Sequence, residues 1–308
     1  SSIMAKTDLT KSLLSRFDRL KGQRQNWETH WQEVADYMQP RKADVTKQRS
    51  RGDKRTELIF DSSPIQAVEL LAASLHGMLT NPATPWFSLR FKDSQLDMED
   101  EAKLWLESAT EVMYTAFSRS NFQQEIFELY HDLITFGTAA MHVQEDNEDV
   151  LKFSTRHINE IFIAEDDKGR IDTVYRKFKL SARAAMQQFG EAVSTDIKSQ
   201  IKKDPYNEVD ILHAVYPRAD FNPKLKDTEN MPFESVYVEY KNANELSVSG
   251  FQEFPFVVPR YLKASHEVYG RSPAMTALPD VKMLNEMSKT TIKAAQKQVD
   301  PPLLVPDD

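Results

Sequence analysis

The 308-residue chain contains no cysteine, which excludes disulfides, thiolate nucleophiles and cysteine-built zinc sites and fits folding in a reducing compartment. Glycine is scarce as well, 8 residues against 15 prolines, so left-handed backbone positions must be few. No apolar run approaches the roughly 20 residues that span a bilayer, and the N-terminus lacks the apolar region of a signal peptide. The reading is a soluble protein made in a cytoplasm with no membrane partner. Ser1, Ser2 and Ile3, ahead of Met4, are read as an expression remnant.

Catalytic signatures are missing too. There is no G-x-x-x-x-G-K-S/T, G-x-G-x-x-G, H-E-x-x-H or G-x-S-x-G. The 7 histidines (His30, His76, His131, His142, His157, His213 and His266) are scattered without a second ligand at helical or strand spacing. No catalytic, cofactor-binding or metal-ligating residue is assigned, and the chain is read as a non-enzyme. A net charge of −8 argues against coating nucleic acid over most of the surface but leaves room for a local basic patch.

What is present is a globular composition, 40% apolar and 28% charged, in a chain long enough for one large or two medium domains. From residue 8 to 38, Leu9, Leu13, Phe17, Leu20, Trp27, Trp31, Val34 and Met38 recur at helical spacing before Pro40, with Gly22 as the place where the helix would break. Trp27 and Trp31 on that stripe are core or interface residues. Between Arg41 and Arg55, seven basic residues (Arg49 and Arg51 among them) without apolar periodicity predict a mobile basic loop, either solvated or set against phosphate or an acidic partner.

Ser63 and Pro64 open a helix that Asn81 and Pro82 stop; Pro85 to Phe91 reads as a strand; acids from Asp97 to Glu101 sit at a helix start, and a further helix runs from Phe122 to about Phe136. At Gly137 the period changes to two, giving candidate strands at 139–144, 151–155, 160–164, 171–179, 209–217, 234–241 and 255–261, with helices inserted at 182–189 and 194–202. The class is α+β: helices, a mostly antiparallel sheet, then a long capped helix.

That last helix starts at Tyr269-Gly270-Arg271-Ser272-Pro273, where Ser272 suits the N-cap and Pro273 the first turn. Pro279 should kink or restart it, and the pattern then runs from Val281 to about Gln298, roughly 27 Å. Val281, Leu284, Met287, Ile292, Ala295 and Val299 project to one side as a packing face. Lys282, Glu286, Lys289, Lys293 and Lys297 project to the other, which is either a solvated face or one turned to a polyanion or an acidic neighbouring subunit. Pro301, Pro302 and Pro306 end the helix.

Four landmarks in order carry a family resemblance: Trp27 to Tyr37 before Pro40; Ser63-Pro64 with Pro85-Trp86-Phe87; Leu133 to Gly137 opening a strand; and Pro255 to Arg260 leading to Tyr269-Gly270-Arg271-Ser272-Pro273. Together they resemble the portal, or head-to-tail connector, proteins of short-tailed bacteriophages of the T7 type. The resemblance implies a wing domain over 5–265, a first stem helix over 272–298 and the start of a clip over 300–308. It implies a subunit of a ring, typically of twelve copies, at a capsid vertex in the virion, assembled in the host cytoplasm. Double-stranded DNA would pass through the ring, and a terminase motor, a tail adaptor and capsid or scaffold proteins would dock on it. The family's second stem helix, tunnel segment and crown are not in this sequence, so this chain is expected not to close into a ring by itself. The lysines Lys282, Lys289, Lys293 and Lys297, with Arg49 and Arg51, would touch DNA or a neighbouring subunit; Leu284, Met287 and Ile292 would pack in the core or an interface. Rival readings are a nucleic-acid-processing enzyme of the packaging machinery and an adaptor that binds a portal.

Overall fold

The computed structural model describes residues 2–302, with side chains from residue 8 onward. Helix α1 (Ser2–Met38) is followed by α2 (Ser63–Leu79), α3 (Asp100–Arg119) and α4 (Phe122–Phe136). Strands β1 (Ala140–Asp146) and β2 (Val150–Arg156) pair antiparallel, and β8 (Phe256–Val257) adds to the free side of β1. A second, five-stranded antiparallel sheet runs in the order β3 (Ile161–Glu165), β4 (Ile171–Ser181), β5 (Glu208–Pro217), β6 (Phe233–Glu239) and β7 (Asn244–Phe251). Helices α5 (Ala182–Phe189) and α6 (Thr195–Lys203) sit in the β4–β5 connection, and α7 (Pro273–Val299) closes the order. The α+β class is as the sequence predicts.

The alternation along the central strands decides the layering. Leu212, Ala214, Val236 and Val238 meet the first half of α1 through Leu13, Phe17 and Leu20. On the opposite face, Ile211 packs under Ala182, Ala185 and Ile197 of α5 and α6, while Val174 and Val215 join the main core. The second half of α1 enters that main core with Trp31, Val34, Ala35 and Met38, so one helix, about 55 Å long, ties both clusters together.

Several expectations need correction. Helix α1 is not broken at Gly22: a Cβ there would meet nothing, and a solvent-facing glycine cannot outweigh the buried stripes on either side. The segment Pro85 to Phe91 is extended but unpaired; Tyr114 Oη accepts from the Trp86 and Phe87 amides and donates to the Phe87 carbonyl, standing in for a partner strand. Of the strand expected at 255–261 only Phe256–Val257 forms, with an isolated bridge between Thr138 and Arg260. The edge strand β7, with two consecutive serine–apolar alternations and a glycine, was not recognised from sequence. Pro279 lies inside a continuous α7 rather than restarting it.

The basic stretch is pinned rather than mobile. Buried Lys42 binds Asp132 at 2.7 Å and Glu128 at 2.8 Å, both on α4. The Gln32 carbonyl oxygen accepts from the Val45, Thr46 and Lys47 amides, and Arg55 grips Asp44. These partners lie up to 90 residues away, beyond any local pattern.

The start of α7 is fixed by a crossing of two backbones. Helix α4 ends on Gly137, which takes the left-handed conformation at φ 74° and donates to the Leu133 carbonyl. Gly270 lies directly against it, and a Cβ on either glycine would run into the other's carbonyl oxygen. Around the contact, Gly270 N–H donates to Thr138 Oγ1 at 2.8 Å and Tyr261 N–H to the Gly137 carbonyl at 2.9 Å. Ser272 Oγ donates to the Thr135 carbonyl while accepting from the Met275 amide, so one hydroxyl caps α7 and ties it to α4.

Two substitutions separate a glycine of convenience from a glycine of necessity. Gly22→Ala should stabilise by about 0.5–1 kcal/mol through helix propensity. Gly270→Ala should cost about 1–3 kcal/mol, because the obstacle is backbone, and Gly137→Ala about 1–2 kcal/mol more for its left-handed residue. Denaturant midpoints measure all three; a neutral Gly270→Ala would remove the crossing from the argument.

Candidate functional site

The side chains singled out by the sequence gather around α7, but on a different register from the one expected. Trp31 is fully buried and Trp27 partly; their rings stack at 6.1 Å, and Tyr269 packs edge-on to Trp31 at 5.1 Å. The first and last sequence landmarks therefore meet in one aromatic cluster. Tyr269 Oη accepts from the Ile163 amide, and burial pushes its phenol up to about 12. Arg271 lies over the Trp27 ring at 4.6 Å, holding the approach to α7 against α1.

Arg24, which sequence reasoning did not single out, completes the mooring. Its guanidinium donates to the carbonyls of Ile158, Asn159 and Ile161 and lies 3.9 Å from the centre of the Phe162 ring. It sits seven residues before Trp31 on the buried stripe of α1, and that position is the one signal the sequence offers.

Further along α7 the inward line is Leu278, Val281, Asn285 and Ser288. At 100° per residue, Leu284 and Met287 lie roughly 80° and 140° round the helix from the middle of this line, while Val281 belongs to it and Ile292 projects along it. The cause is Asn285, buried at 4% exposure: its Oδ1 accepts from the Phe60 and Asp61 amides and its Nδ2 donates to the Leu58 carbonyl. One side-chain amide satisfies three backbone groups of the segment before α2 and turns that line of the helix inward. Leu284 and Met287 consequently stand 39% and 60% exposed, with Met283 beside them at 60%, while Ile292, beyond the last buried residue of the helix, is 44% exposed. Of the expected packing face only Val281 packs on the core; Leu284, Met287, Ile292, Ala295 and Val299 are surface.

The lysines divide. Lys282 is ion-paired to Glu33 of α1, and that hydrogen bond raises its pKa. Lys289 approaches Glu286 at 3.6 Å and the Phe60 ring at 5.6 Å. Lys293 and Lys297 are exposed on a turn where every side chain is exposed, and among the described residues neither has an ionic partner. Arg49 turns inward to the Ala43 carbonyl and Asp44, whereas Arg51 is exposed. No hydrogen bond or ion pair among the described residues joins these arginines to α7. Among the described residues no three carboxylates and histidines gather as a metal site.

The comparisons with known proteins fit this geometry. The family described as bacteriophage head to tail connecting protein matches residues 10–308. A probable portal protein of Bordetella phage BPP-1 is 35% identical over 309 residues, covering 98% of this chain and 56% of its own length. A portal protein of Salmonella phage epsilon15 is 33% identical over 98% of this chain and 55% of its own. The chain thus spans little more than half the length of these relatives. It belongs to the family of bacteriophage head-to-tail connecting proteins.

Proposed function

We propose that this chain supplies the wing, residues 5–265, and the first stem helix, residues 272–298, of a portal subunit in the virion. Residues 300–308 would open the clip; 303–308 lie outside the described residues. The subunits close into a ring at the capsid vertex through which double-stranded DNA enters and leaves. A terminase motor, a tail adaptor and capsid or scaffold proteins dock on that ring, and assembly takes place in the host cytoplasm. The part is structural rather than enzymatic.

The observation that carries the reading, beside family membership, is α7 itself. Its root is locked by a backbone crossing and an aromatic cluster, while Met283, Leu284 and Met287 form an apolar stripe facing outward and Ile292 is exposed further along. An exposed apolar stripe on a rigid helix is a surface awaiting a partner, and in a ring that partner is protein. Of the four lysines, two are already engaged, which leaves Lys293 and Lys297 for DNA or an acidic neighbour. So few free cations per subunit suit a channel that must let DNA slide, since affinity and salt dependence climb with each phosphate neutralised.

Electron microscopy of the natural full-length protein, with and without Met287→Glu, tests this. The unaltered protein should form closed rings with a central hole. Met287→Glu should leave the circular dichroism unchanged, because the residue touches solvent, yet prevent closure by burying a charge in the contact. A full-length protein that stays monomeric under assembly conditions would sink the portal reading; rings unaffected by Met287→Glu would remove the stripe from the interface.

A further inference from the structure

On the face of the five-stranded sheet turned away from α1, two apolar clusters leave a gap. Val174 and Val215 belong to the main core, and Phe178 and Ile211 to the cluster under α5 and α6. In between, Arg176, His213 and Tyr237 stand directly opposite one another across β4, β5 and β6. His142 of β1 and Arg156 of β2 close over this row. The result is a cavity of about 330 Å³ between the sheets, reaching solvent past Gln144, Lys179 and Gln188.

Its lining carries Arg156, Arg176 and Lys179 and no carboxylate. The nearest acids are Glu160, 2.8 Å from Arg176 Nε, and Glu125, whose charge reaches Arg156, so three cations face two anions. A neighbouring recess of about 400 Å³ is lined by the same two arginines. Neither ring nitrogen of His142, which is 8% exposed, has a hydrogen-bond partner, and neither does Arg156 Nε. Buried polar atoms are nearly always satisfied in folded proteins, so the unpaired Arg156 N–H and the unpaired His142 ring, whose neutral form offers one N–H donor, point to a ligand that brings acceptors. Water could accept their hydrogen bonds, but it would leave the adjacent guanidinium charges uncompensated.

The titration behaviour agrees with that geometry. Burial, then the charges of Arg156 and Arg176, hold His142 down at about 4; burial, then His142 and the two arginines, hold His213 well below the usual range. Arg156 is itself lowered by burial and by Arg176. Both imidazoles are therefore neutral near pH 7, and His213 Nε2 is 2.8 Å from Ser235 Oγ.

We infer that this cavity is a binding site for a small phosphate-class oxyanion, clasped by Arg156 and Arg176 with His142 donating from the inner wall. Donors from three strands converge from different directions, which matches a tetrahedral anion better than a planar carboxylate. The enclosure excludes a duplex. The ligand is then either free phosphate or the phosphate of a mononucleotide, whose base could lie on the parallel His213–Tyr237 stack, where the rings are 3.9 Å apart. The inference is independent of ring formation.

Thermal unfolding of the purified protein, titrated with orthophosphate and with adenosine monophosphate at matched ionic strength, tests it. At about a hundred times its Kd, the bound anion should raise the folded-to-unfolded ratio about a hundredfold. Arg156→Gln should melt above the unaltered protein without ligand, through relief of the Arg156–Arg176 repulsion, and should lose the response. Should that variant fail to fold, the ring resonances of His142 in the unaltered protein decide: phosphate should move its titration up toward the ordinary range, which a purely structural arginine pair would not do. Equal responses to the two ligands identify free phosphate, and a stronger one to the nucleotide identifies a mononucleotide; both support the site. No response to either ligand, or an unaltered response in Arg156→Gln, overturns it.

Discussion

The contact on which the rest of this structure depends is the crossing of Gly137 and Gly270. Two chain segments more than a hundred residues apart meet at backbone distance, which only residues without a Cβ permit. Everything that defines α7 is stacked on that point. Thr138 and Ser272 add hydrogen bonds on either side of it, Tyr269 delivers a ring to Trp31, and the reciprocal Leu262 and Arg271 amides form a short bridge beside it. In a chain with 8 glycines, placing two of them at one contact is a strong local commitment.

Much of the element order was legible because its determinants are local. Ser272 and Pro273 announce the start of α7, Gly137 marks the end of α4, and the change of period at that glycine marks the passage into strands. What the sequence did not disclose rests on partners distant in the chain. Lys42 reads as one more cation in a basic loop until Asp132 and Glu128 are brought to it. His142 and His213, 71 positions apart by their numbers, read as isolated until two sheets bring them to one cavity. Strand β7 buries only Leu246, as an edge strand can, and its alternation of Leu246, Val248 and Gly250 with serines is too weakly apolar to mark it as its neighbours are marked.

The rotation of α7 shows why a hydrophobic projection can name the wrong face. Apolar burial is non-directional, so a stripe of leucine, methionine and isoleucine states that a helix has a surface to cover without stating by what. Asn285 is directional: three backbone groups must be met at hydrogen-bond distance, and only one rotation of the helix meets them. Were Asn285 turned outward, the Phe60 and Asp61 amides and the Leu58 carbonyl would all lose their side-chain partner, each such hydrogen bond being worth about 0.5–1.5 kcal/mol net. Outward exposure of Leu284 costs less, since each buried methylene is worth only about 0.8 kcal/mol and that residue is already partly covered.

The same reasoning distinguishes the two ends of α7. Near the root, the apolar contacts of Ala274, Met275 and Leu278 are joined by contacts specific in direction: a cap, a backbone crossing, a buried amide and an ion pair from Lys282 to Glu33. Beyond Ser288 the helix has no buried residue, and from Thr290 to Val299 its mixture of lysine, threonine, glutamine and apolar side chains is open to solvent. A helix held in this way has its azimuth set by the body of the protein and its outer surface left for other molecules. The inward residues of α7 as far as Ser288, with Leu278, Val281 and Asn285 among them, answer to this chain's own core, whereas Met283, Leu284, Met287, Ile292, Lys293 and Lys297 are open to solvent.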